Sequence, residues 1–404
     1  MGAAELHAGR RGRGRALDET AHRAQHPRHG ARDVILEAPE PGAAIDFDAL
    51  DERFEWVRAL RGVPQDPVHH AEGDVWIHTR MVLEALVSSA SYAALDATGR
   101  SVAYWAALLH DVAKPECTRE EGGRITARGH SRAGACRARV LLYRAGVEPR
   151  LREAICAIVA AHQIPFFAIE REDGPRLAIE CAERGRNDWL ACVTEADARG
   201  RKCNDQARLL DNVELFREQA RELDCLDRPH AFASASSRFM FFKSQDRLPR
   251  EVYDDTRFEV TLMSGLPASG KSTWIATHAK GLPIVSLDAL REELDVSPGE
   301  TQGVVVQEAQ SRLRAHLRRE ESVVVDATLL LRTLRRNWVD LCAGYGARAR
   351  IVHVEVPLSE QARRNRARVR PVPERIIENM IARWEPPDST ESHALERVGS
   401  SWGW

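Results

Sequence analysis

Lysine is nearly missing from this sequence. Of 58 basic residues only five are lysines (Lys114, Lys202, Lys243, Lys271 and Lys280). Arginine carries the rest, so a compact ammonium is kept at few places and a functional need for one is a reason to keep it. The eight cysteines form no C-x-x-C pair. That argues against a zinc ribbon and for reduced thiols of the kind expected in the cytoplasm. No apolar run is long enough to span a bilayer. The charged, Ala/Gly-rich first residues hold no secretory apolar core. The expectation is a cytoplasmic chain without membrane attachment. The formal net charge is only −2, so the chain as a whole is not a polycation and nucleic acid would have to be met in local clefts. No repeat of 20–50 residues is found. What remains is ordinary soluble composition, 43% hydrophobic over 404 residues, enough for two domains with sizeable cores.

The texture changes along the chain. Residues 1–44 are rich in Arg, Ala, Gly and His, include Arg10-Arg11-Gly12-Arg13, and show no apolar period; they read as a disordered tail. From Ile45 the apolar positions Phe47, Leu50, Phe54, Val57 and Leu60 recur at helical spacing. Helical patterns continue to about residue 225, broken at Gly62–Pro67, Ala94–Thr98 and Gly122-Gly123. Residues 226–257 are mixed in composition, but Phe239-Met240-Phe241-Phe242 suggests a linker packed onto its neighbours. From Phe258 strand candidates (260–263, 283–286, 322–325 and 350–356) alternate with helices, the pattern of a parallel, doubly wound sheet. The expected fold is therefore an all-α domain followed by an α/β domain over 258–404.

Gly265-Leu266-Pro267-Ala268-Ser269-Gly270-Lys271-Ser272-Thr273 fits G-x-x-x-x-G-K-[ST]. The apolar run 258–263 before it and Trp274-Ile275-Ala276 after it supply the strand and helix the motif needs. Backbone N–H groups of such a loop wrap phosphates, Lys271 reaches the β/γ-phosphates and Ser272 can ligate Mg²⁺. Gly265, Ser269, Gly270 and Thr273 complete the expected nucleotide contacts. Asp288 and Arg291 lie three apart on one helix face. The first can accept a proton from an attacking hydroxyl, the second can grip a phosphate of the same acceptor. Asp326 ends another strand and suits either a Mg²⁺ contact or the orientation of the acceptor. Arg332 follows as a further candidate contact to the acceptor, and Arg364 and Arg368 stand in a basic helix suited to a lid over a triphosphate.

In the helical half, His78, His110-Asp111, His130, His162 and Asp197 mostly mark polar breaks at helix ends. Imidazoles with carboxylates suit a divalent transition metal (Mn, Ni, Co or Zn), which would provide a hydroxide nucleophile.

His78-Thr79-x-Met81-Val82, Leu108-Leu109-His110-Asp111-Val112-Ala113-Lys114-Pro115, Gly129-His130 and Ala196-Asp197-Ala198-x-Gly200 resemble the HD phosphohydrolase superfamily, above all the HD domain of bacterial CCA-adding enzymes. The resemblance covers about residues 60–200, with Pro64-Gln65 and His70-x-Glu72-Gly73-Asp74 also matched. It implies His78, His110, Asp111 and Asp197 as metal ligands. His130 and His162 are implied at a second metal or the scissile phosphate, and Lys114 near the metal as a cation for phosphoryl charge. The second half, over 258–390, resembles P-loop polynucleotide 5′-kinases through G-x-P-x-S-G-K-S/T, S-x-D-x-x-R, V-V-D-A-T and R-N-x-x-R…V-P, and departs from them at Leu329. It implies Asp288 as the general base, Arg291 on the acceptor's adjacent phosphate and Arg368 as the lid arginine. The fusion resembles bacterial HD-Pnk end-healing enzymes. The implied activity is removal of 2′,3′-cyclic, 2′- or 3′-phosphate by the HD half and ATP- or NTP-dependent phosphorylation of 5′-OH ends by the other, with Mg²⁺. RNA ends are favoured over DNA as substrate, and an RNA ligase is the implied partner. The alternatives are a small-molecule kinase joined to a nucleotidase, and an ATP-gated RNA-binding regulator with an inert HD site.

Overall fold

A computed structural model describes residues 37–296 and 302–399. The proposed tail lies outside the described residues as far as position 36. Its last part is ordered: Gly42 N–H donates to Val87 O (2.8 Å) and the Tyr92 hydroxyl to Pro39 O (2.7 Å), pinning residues 37–44 to the helices.

After short helices at Phe47–Arg53 and Glu55–Arg58, the first domain is built from α1 (Val75–Val87), α2 (Ala97–Leu109), α3 (His130–Arg144), α4 (Pro149–Ala161), α5 (Gly174–Arg184), α6 (Asn187–Arg199) and α7 (Gln206–Glu222). Asp74 caps α1 by accepting from the Ile77 N–H at 2.8 Å, and Asp96 caps α2 from the Gly99 N–H at 2.6 Å, each meeting an otherwise orphaned donor. One continuous apolar cluster, including Val82, Leu86, Leu108, Ile155, Val193 and Phe216, holds the helices together. Gly200 lets α6 approach α1. A Cβ there would stand 2.8 Å from the Val82 nitrogen, so only glycine keeps Asp197 close to His78. The domain is not wholly helical. Gly122-Gly123 turns a small antiparallel hairpin, β1 (Arg119–Glu121) and β2 (Arg124–Thr126), between α2 and α3.

The stretch expected as a linker contains helix α8 (Ala235–Lys243). Its Phe241 enters the helical core and its Phe239 the core of the second domain.

The second domain has an all-parallel five-stranded sheet, β3 (Phe258–Ser264), β4 (Ile284–Ser286), β5 (Val323–Asp326), β6 (Ala347–Val354) and β7 (Ala394–Val398), in the order β4-β5-β3-β6-β7. Between the strands run α9 (Lys271–His278), α10 (Leu287–Glu293), α11 (Gly303–Arg318), α12 (Arg332–Ala343), α13 (Leu358–Arg366) and α14 (Glu374–Ala382). β3 is central, paired with β5 (Leu262↔Val325) and β6 (Leu262↔Ile351). The chain leaves β3 toward one edge and crosses back to β6 on the other, so the loop after β3 opens at the reversal of strand order, where α/β folds bind ligands. β7 was not expected. Ala394-Leu395-Glu396-Arg397-Val398 lacks a strong apolar run, and the free edge of β6 decides its conformation.

Trp384 closes a separate apolar cluster with Tyr143 of α3, Leu266 of the glycine loop, Leu330, Ile377 and Ile381. It is 1% exposed. Trp384→Ala should therefore cost about 3–5 kcal/mol, read as a drop in the denaturation midpoint. A loss below about 1 kcal/mol would show that the two domains do not rely on this contact.

Candidate metal centre and phosphate-binding loop

Four helix ends and one helix interior meet in the first domain. His78 lies within α1, His110 and Asp111 end α2, His130 opens α3, His162 follows α4 and Asp197 is near the end of α6. All six are buried. His110, His130 and His162 each direct Nδ1 at the carbonyl three residues back, of Ala107, Ala127 and Val159, at 2.7–2.8 Å. Such a bond places the proton on Nδ1 and leaves Nε2 as a ligand. The Nε2 atoms converge: His110 lies 3.1 Å from Asp111 Oδ2, His130 3.4 Å from Asp111 Oδ1 and 3.4 Å from His162 Nε2, and His78 3.1 Å from Asp197 Oδ1. Candidate ligand atoms of His78, His110 and Asp111 lie within 4.8 Å of one another, as do those of Asp111, His130 and His162. His110 Nε2 and both Asp111 oxygens are buried without an aligned hydrogen-bond partner. A donor set this converged and unsatisfied fits a divalent ion.

The electrostatics agree. Burial pushes both carboxyls up, but His110 and Lys114 hold Asp111 well below the ordinary carboxylate range, and Arg201 and His78 do the same for Asp197. Burial lowers His130, and takes His162 down to about 3, which favours the neutral imidazole in both. Lys114 Nζ sits 2.7 Å from Asp111 Oδ2 and donates to Gln65 Oε1 at 2.6 Å.

Two side chains absent from the expected set complete the centre. Glu72 Oε1 lies 2.8 Å from both His70 Nδ1 and His78 Nδ1, and its other oxygen accepts the Lys202 N–H at 2.8 Å. It holds the His78 ring with Nε2 toward the site, as the outer carboxylate of a carboxylate–histidine pair would beside a metal. Arg201 grips both Asp197 oxygens, at 2.9 and 2.7 Å. The available signals were weak: Glu72 lies in a polar turn before α1, and Arg201 is four residues after Asp197.

At the C-terminal end of β3 the loop 265–270 runs into α9. Lys271 Nζ donates to the carbonyls of Gly265 and Leu266, both at 2.9 Å, and burial lowers its pKa to about 8. Ser269 Oγ is buried without a partner, while Ser272 and Thr273 face solvent. Arg364 donates to Ser269 O at 3.1 Å, so its guanidinium already borders the loop. These features fit a triphosphate. Asp326 and Asp288 both lie close enough to raise the Lys271 pKa, and Arg368 close enough to lower it. Burial raises Asp326 above its ordinary value, with Asp288 adding to the effect, and Ser286 Oγ reaches Asp326 Oδ2 at 3.5 Å. Arg291 pairs with Asp288 and donates to Gln302 at 2.6 Å. Arg332 is a correction. Its guanidinium bonds Asp388 at 2.6 Å and its N–H bonds Glu385 at 2.9 Å. Those contacts commit it to the 385–391 segment rather than to an acceptor.

The sequence matches the HD domain family over residues 75–198 and the AAA domain family over 260–387. The helical half thus matches the HD domain family, and the α/β half that carries the glycine loop matches the AAA domain family. It is 37% identical over 143 residues to a multifunctional CCA protein of Halorhodospira halophila, spanning 34% of this chain and 32% of that protein. It is 30% identical over 197 residues to one of Xanthomonas euvesicatoria pv. vesicatoria, spanning 46% of each. The chain thus spans less than half the length of these curated relatives. Among solved structures, a sugar kinase of Janibacter sp. HTCC2649 is similar at 19% identity and TM-score 0.30, covering 35% of this chain and 86% of that one. A gluconokinase of Sinorhizobium meliloti is similar at 20% and 0.28, covering 36% and 86%. Among the described residues no helix is long and apolar enough to cross a membrane.

Glu72→Gln should weaken metal binding at the histidine cage by about 10–100-fold in a chelator competition; an unchanged affinity would remove Glu72 from the site. The low Lys271 pKa gives a second outcome. Below pH 8 the amine is already charged, so nucleotide binding should take up almost no proton. Between pH 8 and the ordinary lysine range, triphosphate favours the ammonium, and binding should take up to about one proton. Calorimetry in buffers of different ionisation enthalpy reads this directly, with affinity falling as pH rises above 8.

Proposed function

We propose that the chain heals nucleic-acid ends, RNA above all: the HD domain strips a 2′,3′-cyclic, 2′- or 3′-phosphate, and the P-loop domain phosphorylates a 5′-OH. The observation that carries this reading is the phosphate-binding loop after β3 with Ser286 and Asp326 paired at the ends of β4 and β5 and Asp288 in the first turn of α10, in one compact unit with a buried imidazole–carboxylate cage. The likeness of the HD half to multifunctional CCA proteins supports a nucleic-acid substrate.

In the cage, His78, His110, Asp111 and Asp197 would hold a divalent ion, which supplies a hydroxide at neutral pH when bound. Neutral His130 and His162 face the same space, and their Nε2 atoms would meet a second ion or the scissile phosphate. Lys114 offsets the charge that gathers on the phosphoryl oxygens. In the P-loop domain, Lys271 exchanges its two carbonyl acceptors for phosphate oxygens. Asp288 takes the proton of the attacking 5′-hydroxyl, and Arg291 turns from Asp288 to the acceptor's adjacent phosphate. Arg364 and Arg368 close from the lid side. The products, a 3′-OH and a 5′-phosphate, are what an RNA ligase consumes.

The full chain with 5′-OH RNA, Mg²⁺ and γ-labelled ATP should transfer label to the RNA. Lys271→Ala and Asp288→Asn should each lower transfer by about a hundredfold or more. Asp111→Asn should abolish phosphate release from a 2′,3′-cyclic end and leave label transfer intact. Label appearing on free nucleosides or sugars, and not on RNA, would overturn the reading in favour of a small-molecule kinase.

A further inference from the structure

The back of the phosphate-binding loop is supported by the HD domain. Arg152 of α4 is fully buried. It donates to both oxygens of Glu355, at 2.7 and 2.9 Å, and to Glu153 at 2.7 Å. Glu153 is held in turn by Arg139 of α3 at 2.8 Å, and the Arg152 guanidinium lies over the rings of Tyr143 and Trp384.

Glu355 immediately follows β6, the strand beside β3. From it a buried polar path leads to the loop. Its Oε2 is 3.6 Å from His353 Nε2, and His353 Nδ1 is 3.2 Å from the hydroxyl of Ser264, the residue before Gly265. The same turn touches the loop through backbone. A Cβ on Gly265 would stand 2.3 Å from Val354 O, so any shift of residues 354–355 moves the first glycine of the loop. Tyr143 of α3 adds a third tie by donating to Val356 O at 3.0 Å and sharing an apolar cluster with Leu266. Burial works against both charges of the Arg152–Glu355 pair; Glu153 and Glu355 together outweigh it for Arg152, and Arg152, with His353, outweighs it for Glu355. Without the guanidinium, Glu355 would be a buried anion behind a loop that must accept a triphosphate. An unpaired buried charge of that kind is resolved by protonation or by movement of its backbone.

We propose that Arg152, contributed by the HD domain, is a positioning residue of the nucleotide site: through Glu355 and the β6–β3 pairing it holds the phosphate-binding loop in its binding geometry. The inference rests on the reading of 265–273 as a nucleotide site. It gives the fusion of the two domains a physical consequence, since the second domain on its own would leave Glu355 without Arg152 and Trp384 and Leu266 without Tyr143.

The test uses the full chain, a fluorescent ATP analogue with Mg²⁺, and the Mn²⁺ content of the histidine cage measured in parallel. Arg152→Met should weaken analogue binding by about tenfold with Mn²⁺ content unchanged. Glu355→Gln alone should weaken it by about threefold. The double variant should be no weaker than Arg152→Met, because no buried carboxylate is left unpaired. Wild-type affinity in Arg152→Met would overturn the proposal, as would losses that add to about thirtyfold in the double variant. Should Arg152→Met fail to fold, unaltered binding by Glu355→Gln overturns it instead. Failure of the wild-type chain to bind the analogue would remove the nucleotide reading itself rather than this coupling.

Discussion

The antiparallel packing of α3 on α4 is the constraint on which both sites depend. At one end of this pair His130 begins α3 and His162 follows α4, with their Nε2 atoms 3.4 Å apart. Toward the other end the same helices present Tyr143 and Arg152 to the turn after β6. A helix is stiff over this length, and a close-packed interior leaves little room for one end to shift without the other. The imidazole–carboxylate cage and the glycine loop therefore share a structural member even though their side chains come from separate elements.

Charge compensation follows the same logic throughout. The chain buries several ionic groups, and those it buries are held in pairs or networks: Asp197 by Arg201, Glu153 by Arg139 and Arg152, Arg335 by Glu391. Arginine suits this because its planar fork makes two bonds to one carboxylate. The scarcity of lysine stands out against that background. Lys114 and Lys271 are the two buried lysines among the described residues, and they stand at the metal cage and the phosphate loop. A compact ammonium there meets several acceptors at once, as Lys271 does with the carbonyls of Gly265 and Leu266, without the fixed geometry of a guanidinium fork. Lys243 and Lys280 lie at the surface and show that lysine is not confined to sites.

Much of the fold was legible because its signals are local. The strand before the glycine loop and the helical periods of α1 and α2 depend on neighbours within a few residues. The polar ends of the helices revealed His110-Asp111, His130 and His162 for the same reason. β7 was not legible, since its conformation comes from the open edge of β6. Nor was the destination of Arg332, whose carboxylate partner lies 56 residues further on. Glu72 was matched only as part of a polar turn, because its value comes from reaching His78 around the start of α1.

The amino-acid sequence by itself determined that a loop for phosphates follows a buried strand, and that a helical domain carries histidines and aspartates where its helices stop. Motif spacing and periodicity are properties of adjacent residues, and they survive without a fold. Only the tertiary structure decided which imidazole nitrogens converge, which arginines are spent on internal carboxylates, and that a guanidinium of the first domain lies behind the glycine loop of the second. Those outcomes require charges from distant parts of the chain to leave water together, and that happens only when the two cores close.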